Sequence, residues 1–248
     1  QKGASFCRNI GIDNAIGNFI IFLDSDDLLM PNCLSSRIKS FSLYPDFDFI
    51  VFPTGTFFKK IGDSSSIWLP KSKNFLINFL KHDLKWQTTS PIWKKASLKK
   101  INGFDEEYSR LQDVELHTRA LLNPNFSFKV LPNHPPDNFY RIDVNRTSIS
   151  TEHKLENFKN GIFMFISKIF FMLKERKHKK ALKVSLLSLM SSINYASAND
   201  EISEKLHNKF DQDIKSYIYE NDRIFNKNDL LFLNVYNKIY FFGFWRVK

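Results

Sequence analysis

The sequence predicts an α/β domain with a mixed sheet over residues 1–150 and an α-helical appendage over residues 151–248. Three observations support this prediction. The apolar run NFIIFL, residues 18–23, leads directly into the acids of DSDD. Helix-like and strand-like patterns then alternate to about residue 150, as they do in α/β folds. Beyond that point strand patterns fade, and helical periodicity with clusters of lysine replaces them.

The amino-terminal pattern predicts a helix, a buried strand and a second helix, in that order. SFCRNIGIDNAI, residues 5–16, is predicted as a helix that Gly17 closes in the C′ position. The run at 18–23 is rich in Ile and Phe without alternation, which is typical of an interior strand covered on both faces. Pro31 suits the first turn of a helix that continues to about Leu43.

The later segments continue the alternation of strands and helices. Strands are predicted at FDFIVFP (47–53), SPIWKK (90–95), SFKVL (127–131) and NFYRI (138–142), and helices at KNFLINFLKH (73–82), in a short segment ending at Ile101 and at VELHTRALL (114–122). Asn102-Gly103 is typical of a turn. Asp113 lies at the start of the last helix, where the helix dipole favours a carboxylate.

Three acids fall within four positions directly after the predicted buried strand, namely Asp24, Asp26 and Asp27. Like charges at this spacing repel one another, so they either spread into water as a loop or hold a cation. Ligands of open α/β sheets bind at the carboxyl ends of the strands, which favours the cation. Carboxylate oxygens are hard ligands and suit Mg²⁺ or Mn²⁺.

Two blocks of residues form a pattern that is more specific than these acids alone. The first is GASFCRNIGIDNAIGNFIIFLDSDD at residues 3–27, and the second is GFDEEYSRLQDVELHTRAL at residues 103–121. Together they resemble family 2 glycosyltransferases of the GT-A fold, which is Rossmann-like. The resemblance implies a nucleotide-sugar-binding domain. It also implies a metal-dependent, inverting transfer of a sugar from a nucleotide diphosphate to an acceptor hydroxyl, in bacterial surface polysaccharide synthesis.

The resemblance also assigns roles to individual residues. Asp24 lies near the nucleotide and Asp26 reaches a divalent cation, Mn²⁺ or Mg²⁺, with Asp24 as a second metal ligand and Asp27 as a helper. The cation stabilises charge on the leaving diphosphate as a Lewis acid. Arg8 contacts the nucleotide-sugar. Asp113 is the catalytic base that takes the proton of the acceptor hydroxyl, which suits direct displacement with inversion.

Other positions correspond to the acceptor side of the family's site or depart from its pattern. Trp86, Thr88 and Thr89 correspond to positions that line the acceptor site in relatives. Gln112 stands where the family has the first acid of an acidic pair, on the same acceptor side. Asp143 stands where many relatives have a metal-binding His. It is either a ligand acting through water or an ordinary turn acid.

Several of these residues have simpler explanations. Asp113 is a common kind of residue for a helix start, where it interacts only with the helix dipole. Arg8 suits an exposed helix face. His117, one turn after Asp113, is expected to be a partly buried structural residue rather than a ligand. Glu115 lies on another face of the helix from Asp113 and is expected to tolerate replacement.

The first residues, QKGAS, include no initiator Met, and the family's first nucleotide-binding strands precede the Arg-Asn helix. The sequence therefore predicts a domain that is incomplete at its amino terminus, and one alternative function is an inactive partial chain. Another alternative is a haloacid-dehalogenase-like phosphotransferase, because that family also ends a buried strand in Asp-x-Asp. Leu28 stands where that family needs Thr or Val, and the block at 103–121 is then unexplained.

The net charge of +10 and the pI of about 9.4 favour partners that carry phosphate. The sequence has no zinc-finger spacing, basic leucine zipper or RNP-type strand, so no nucleic-acid partner is predicted. Given the resemblance, the predicted partners are a nucleotide-sugar donor, with a UDP-sugar as the expected one, and a glycan or lipid-linked acceptor. Cys7 and Cys33 form no CxxC motif, which indicates free thiols in the cytoplasm.

The most apolar and most basic stretches of the carboxyl-terminal region allow two interpretations. GIFMFISKIFFML (161–173) is shorter than the ~20 residues that a bilayer-spanning helix needs. It adjoins KERKHKK (174–180), and this combination favours peripheral contact with the anionic inner face of a membrane. NKIYFFGFWRVK (237–248) suggests the same contact. The alternative is that the apolar side chains pack on the catalytic domain or a second subunit.

Overall fold

The computed structural model describes residues 3–142 and 150–241, which divide into two compact units. Within these residues the first unit comprises 3–79 and 83–142, and the second comprises 80–82 and 150–241. The predictions for Asp143 and for most of the stretch 237–248 lie outside the described residues.

Residues 3–142 contain short strands interspersed with five helices. The helices are α1 (Ala4–Asn14), α2 (Cys33–Leu43), α3 (Phe75–Leu80), α4 (Lys95–Lys100) and α5 (Gln112–Leu122). The strands are β1 (Phe19–Ile20), β2 (Leu28–Leu29), β3 (Phe49–Val51), β4 (Thr54–Phe57), β5 (Ile67–Trp68), β6 (Pro91–Lys94), β7 (Phe128–Val130) and β8 (Asn138–Arg141). The predicted α/β class with a mixed sheet is therefore confirmed.

The strands form two four-stranded mixed sheets. The first has the order β1-β6-β3-β7, in which only β3 and β7 run parallel. The second has the order β2-β8-β4-β5, in which only β4 and β8 run parallel. The acidic turn therefore lies between β1 in one sheet and β2 in the other.

Aromatic side chains account for much of the core of the first unit. Phe49 on β3 is fully buried and stacks on Trp93, with ring centroids 4.1 Å apart, and on Phe128 at 5.3 Å. Trp86 packs against Phe79 with ring centroids 4.7 Å apart. Each buried aromatic ring removes a large apolar area from water, so these contacts dominate the stabilisation of the unit.

A buried ion pair anchors α2 to the second sheet. The Arg37 guanidinium donates to both carboxylate oxygens of Asp137, with Nε–Oδ2 at 3.0 Å and Nη2–Oδ1 at 2.6 Å. Its Nη1 donates to the carbonyl of Thr89 at 2.9 Å. Both side chains are almost fully removed from solvent, with 0% of Arg37 and 4% of Asp137 exposed. Asp137 immediately precedes β8, so the pair fixes the entry into that strand.

The strand predicted over residues 19–23 is wrong in length. Only Phe19 and Ile20 pair, antiparallel with β6, and within the described part of the chain β1 has no partner along its other edge. Ile20 and Phe22 are buried, whereas Leu23 is 50% exposed. A short apolar run without alternation does not distinguish a central strand from a segment that buries only some of its side chains.

The helix boundaries also differ from the predicted ones at two positions. α1 ends at Asn14, and Ala15 is already extended with φ −61° and ψ 133°. Gly17 therefore does not close the helix in the C′ position. Pro31 precedes the N-cap Asn32 instead of lying in the first turn of α2. Propensity rules locate helix ends only to within one or two residues, which explains both differences.

Residues 150–241 form the predicted helical region. Its helices are α6 (Thr151–Phe170), α7 (Arg176–Ala198), α8 (Glu204–Glu220) and α9 (Lys227–Phe241). Ser150 caps α6 by accepting from His153 N at 3.2 Å, and Ser203 caps α8 by accepting from Leu206 N at 3.2 Å. Among the described helices, none has the length and apolarity required to cross a membrane.

The apolar stretch 161–173 is mainly core of this helical unit. Four apolar side chains on α6 are at most 1% exposed, namely Ile162, Phe165, Ile166 and Ile169. Phe171 and Met172 are 67% and 49% exposed, so the exposed part of the stretch is confined to the turn after α6. Packing within the unit therefore accounts for most of the apolar pattern.

Candidate active site

Arg8 connects the two sequence blocks of the candidate site. It projects from α1, where its Nη2 donates to Asp24 Oδ1 at 2.6 Å and its Nη1 donates to Gln112 Oε1 at 2.5 Å. The ion pair is partly shielded, with 17% of the Arg8 side chain and 40% of the Asp24 side chain exposed. The guanidinium also lies over the Phe104 ring, 5.3 Å from its centroid. Arg8 therefore holds the acidic turn against the start of α5.

Asn9, also on α1, fixes the second block through the main chain. Its Nδ2 donates to the carbonyl of Phe104 and to Glu106 Oε1, both at 2.9 Å, and its Oδ1 accepts from Phe104 N at 2.8 Å. Asn102 and Gly103 have φ values of 58° and 59°, so the predicted turn is present. A Cβ on Gly103 would collide with Asn9 Oδ1, which explains why glycine suits this position.

Asp113 lies in the first turn of α5, directly after a strained residue. Leu111 is buried and left-handed, with φ 66° and ψ 23°, a conformation that costs a non-glycine residue about 1–3 kcal/mol. Val114 N donates to Asp113 Oδ1 at 2.9 Å. Loss of hydration raises the pKa of the Asp113 carboxyl. The Val114 N–H and Arg8 oppose this rise, and Asp24 adds to it.

Arg141 holds the acidic turn from β8, and the sequence analysis did not identify this residue. Its backbone N–H donates to Asp27 Oδ1 at 3.0 Å, and its Nε donates to the carbonyl of Asp26 at 2.9 Å. Burial raises the pKa of Asp27, the Arg141 N–H opposes the rise, and the charges of Asp24 and Asp26 add to it. Asp27 therefore supports the turn from inside. Asp24 and Asp26 are its partly exposed carboxylates.

The carboxylates of this turn fit one mode of metal binding and not another. Residues 3–142 and 150–241 contain no group of three His, Cys, Asp or Glu side chains that could hold a metal ion by themselves. Mg²⁺, however, is usually bound through one or two carboxylates together with substrate phosphates. Asp24 and Asp26 lie two positions apart on one turn and fit this second mode. The arrangement is thus suited to a cation that is shared with a diphosphate.

Residues 1–95 match the family model described as glycosyl transferase family 2. Residues 1–95 are therefore similar to glycosyltransferase family 2. A relative from Rickettsia felis, described as an uncharacterized glycosyltransferase, is 27% identical to this chain. The match covers 50% of this chain and 24% of that relative, so the chain spans about a quarter of its relative's length.

A solved structure extends the likeness of fold beyond the matched residues. The crystal structure of S. aureus TarS 1-349 is similar with a TM-score of 0.61 and 18% sequence identity. The similarity covers 90% of this chain and 62% of that one. The predicted GT-A fold with a helical carboxyl-terminal region is therefore confirmed.

Three residues that the family resemblance assigned to the acceptor side are buried. Trp86 is 1% exposed and lies in the aromatic core against Phe79, Phe75 and His117, so the prediction that it lines an open acceptor site is wrong. Thr88 is 7% exposed and Thr89 is 0% exposed. Thr89 instead donates to Asp27 Oδ2 at 3.4 Å, which makes it a support for the acidic turn.

Gln112, which was also predicted on the acceptor side, lies next to the acidic turn because it contacts Arg8. Besides accepting from Arg8, it donates through Nε2 to the carbonyl of Tyr108 at 3.1 Å. An acid at this position would form an ion pair with Arg8, whereas Gln112 offers a neutral carbonyl oxygen. Gln112 therefore leaves Asp24 as the anionic partner of Arg8 in this contact.

Glu115 and His117 lie on the buried face of α5. Glu115 is 3% exposed and forms an ion pair with Arg119, whose Nη2 also donates to the carbonyl of Gly103 at 2.7 Å. The expectation that Glu115 tolerates replacement stays a prediction for turnover, and its burial, which the sequence does not reveal, adds an expected cost in stability. His117 is 1% exposed, and burial lowers its pKa to about 3, so it is a neutral core residue.

An exposed aromatic pair on the second sheet was also missed by the sequence analysis. Trp68 on β5 and Tyr140 on β8 stack with ring centroids 5.9 Å apart and an interplanar angle of 11°. Both rings are accessible, with 39% of Trp68 and 37% of Tyr140 exposed. Arg110 interacts electrostatically with both Asp113 and Tyr140. This interaction relates the aromatic pair to the start of α5.

Proposed function

We propose that this chain is the catalytic part of a metal-dependent, inverting glycosyltransferase that uses a nucleotide diphosphate sugar, with a UDP-sugar as the expected donor. The observation that carries the proposal is the contact of Arg8 with both Asp24 and Gln112. It brings an acidic turn suited to a cation next to a helix start that carries a carboxylate with a raised pKa. Donor chemistry and base chemistry thus share one site.

In this proposal Asp24 and Asp26 hold Mn²⁺ or Mg²⁺ together with the donor diphosphate. The cation, when bound, stabilises the negative charge of the departing nucleotide diphosphate. Asp113 removes the proton from the acceptor hydroxyl as that oxygen bonds to the anomeric carbon, and the bond from that carbon to the diphosphate breaks. Attack from the face opposite the leaving group inverts the anomeric configuration. Arg8 orients the turn and lies beside the nucleotide-sugar.

We expect Asp26→Ala to weaken Mn²⁺-dependent binding of a UDP-sugar about tenfold or more, because one of two carboxylate ligands is lost. The change spares the Asp26 carbonyl that accepts from Arg141, so the turn is expected to stay folded. Calorimetric titration of the full-length protein with and without Mn²⁺ measures the effect. Asp46→Ala removes an exposed carboxylate elsewhere in the unit and serves as the matched control. Undiminished Mn²⁺-dependent binding by Asp26→Ala would remove Asp26 from the site.

We propose that Trp68 and Tyr140 form the acceptor side that the sequence assigned to Trp86. Exposed stacked rings offer a flat apolar surface that suits the face of a sugar ring. Trp68→Ala is therefore expected to raise the acceptor KM about five- to tenfold with little change in kcat, since an aromatic contact contributes about 1 kcal/mol. Trp68→Phe retains a ring and is expected to stay within about twofold of the wild type. An equal loss in both variants, or a loss confined to kcat, contradicts this assignment.

We further propose a cytoplasmic protein that contacts the inner face of an anionic membrane and contributes to bacterial surface polysaccharide. The net charge of +10 and the basic segment KERKHKK support contact with an anionic membrane. A lipid-linked or glycan acceptor would meet the enzyme at that surface. Flotation with anionic liposomes, weakening as salt rises, tests it. The dehalogenase-like alternative has no support from the family match over residues 1–95. Absence of any transfer by the full-length protein would favour the inactive alternative.

A further inference from the structure

The helical unit contains a cavity of about 820 Å³ that the proposed sugar transfer does not use. It lies where the end of α6, the start of α7 and the start of α9 meet. It is lined by basic side chains from α7 and by aromatic side chains from α6 and the α9 region. The residues that matter for the argument are Phe170, Arg176, Lys180, Lys183, Phe225 and Phe232.

The charge on the α7 side of the cavity is unusual for a helix start. The first turn of α7 has no acidic residue and carries Arg176, while Lys179 and Lys180 follow in the next turn. A helix amino terminus already bears partial positive charge, so cations there destabilise the helix unless an anion is near. The N-cap residue Glu175 is such an anion, but it pairs with Lys177. Across residues 3–142 and 150–241, neither Arg176 nor Lys180 has an ion-pair partner, and both side chains are exposed.

Two other cations of the cavity are already neutralised or covered. Lys183 Nζ lies 2.7 Å from Asp229 Oδ2, and Asp229 also accepts from Asn226 N at 2.9 Å. Lys177 Nζ lies 2.8 Å from Glu175 Oε2 at the rim. Among the described residues that line the cavity, Arg176, Lys179 and Lys180 therefore remain without an ion pair, and Arg176 and Lys180 are the exposed ones.

The cavity is also lined by apolar rings, and two of them lie next to its lysines. Phe170 and Phe225 are buried, and Lys179 Nζ lies over the Phe170 ring at 4.7 Å from its centroid. Phe232 on α9 lines the cavity and is 55% exposed, and Phe171 beside Phe170 is 67% exposed. An exposed apolar surface next to uncompensated cations suits a ligand with one anionic and one hydrocarbon end.

We propose that this cavity binds a phosphate ester that carries an apolar chain, as in the headgroup region of an anionic phospholipid. Arg176 and Lys180 bind the phosphate, and Phe170, Phe225 and Phe232 contact the first carbons of the chain. The inference deepens the proposed membrane contact by giving it a defined site. It does not depend on sugar transfer, because its test contains neither donor nor acceptor.

The test is calorimetric titration of the full-length protein with dihexanoyl phosphatidylglycerol below its micelle concentration. Saturable binding at one site per chain is expected, with dihexanoyl phosphatidylcholine and inorganic phosphate each binding at least about tenfold more weakly. The double variant Arg176→Gln/Lys180→Gln is expected to weaken binding about thirtyfold, since each basic residue near an anionic lipid contributes about fivefold. Phe232→Ser is expected to reduce the preference for the lipid over inorganic phosphate.

The matched control is Lys205→Gln/Lys209→Gln, which removes the same charge from exposed positions of α8. An equal loss in this control would show attraction to overall charge and would overturn the site. Equal affinity for inorganic phosphate and for the lipid would overturn the apolar part of the proposal. Absence of saturable binding would overturn all of it. Liposome flotation that persists in Arg176→Gln/Lys180→Gln would show that membrane contact uses another surface.

Discussion

Asp113→Asn is expected to lower the turnover of the full-length enzyme by about a hundredfold or more, the usual contribution of a general base. Asparagine keeps the shape of the side chain but cannot accept the proton of the acceptor hydroxyl. Affinity for the proposed UDP-sugar donor is expected to change little, because the proposal places the donor contacts at Arg8, Asp24 and Asp26. Initial rates with saturating donor and acceptor, together with donor titrations, measure both quantities.

The pH dependence of the wild type supplies an independent readout. Loss of hydration raises the pKa of the Asp113 carboxyl above the ordinary value of about 3.9. A base acts only when deprotonated, so kcat/KM should fall as pH drops through this raised pKa. The acid limb should therefore begin above about pH 4 in the wild type and should disappear in Asp113→Asn.

Two neighbouring carboxylates act as controls for this prediction. Glu106→Gln neutralises an exposed acid of the same segment, and a mild effect is expected through its hydrogen bond from Asn9. Glu115→Gln disrupts a buried ion pair with Arg119, so it should lower stability more than the pH-independent rate. Near-full turnover in Asp113→Asn, with a large loss in Glu106→Gln, would reassign the base.

The largest effect on stability is expected from Asp137→Asn. The change leaves the fully buried Arg37 guanidinium without its anion, and breaking a buried pair in this way costs about 3–5 kcal/mol of the free energy of unfolding. Chemical denaturation followed by near-ultraviolet circular dichroism reports on the unit, because Trp86 and Trp93 lie in its core.

A double variant tests whether the loss of stability comes from leaving one buried charge without its partner. Arg37→Met/Asp137→Leu removes both charges and should recover a large part of the loss, because apolar replacements of a whole buried pair are often neutral or stabilising. Asp13→Asn breaks the exposed pair with Lys99 and should change the free energy of unfolding by less than about 1 kcal/mol. If Asp13→Asn lowers the free energy of unfolding as much as Asp137→Asn does, burial is not what makes the Arg37–Asp137 pair costly to break.

Local patterns predicted those parts of the site that local backbone rules govern. The turn at Asn102-Gly103 requires left-handed backbone, and the acid at the start of α5 follows helix-dipole preference, so both are visible in short stretches. The motif that includes Arg8 and Asp24 follows the same logic, since its spacing fixes a helix and the turn after β1.

Features that depend on distant partners were not predictable in this way. Arg141 supports an acidic turn 114 residues earlier in the chain, and nothing in its own neighbourhood signals that role. Trp86 was assigned to the acceptor side because it corresponds to a position that lines that site in relatives. Its burial results from Phe79 and other rings that the sequence does not place around it. The strand predicted over residues 19–23 was too long for the same reason, because apolar residues do not reveal which segments pack against them.

The span of the Arg8 contacts has a consequence for synthesis on the ribosome. Arg8 and Gln112 are 104 positions apart, and Asn9 lies 95 positions from Phe104. At a translation rate of about 5–20 residues per second, roughly 5–20 s pass between the synthesis of the two sides of the site. During that interval α1 and the acidic turn lack the contacts with the segment that runs from Phe104 to Gln112. The contacts of Arg8 with Gln112 and of Asn9 with Phe104 can therefore form only after the start of α5 has left the exit tunnel.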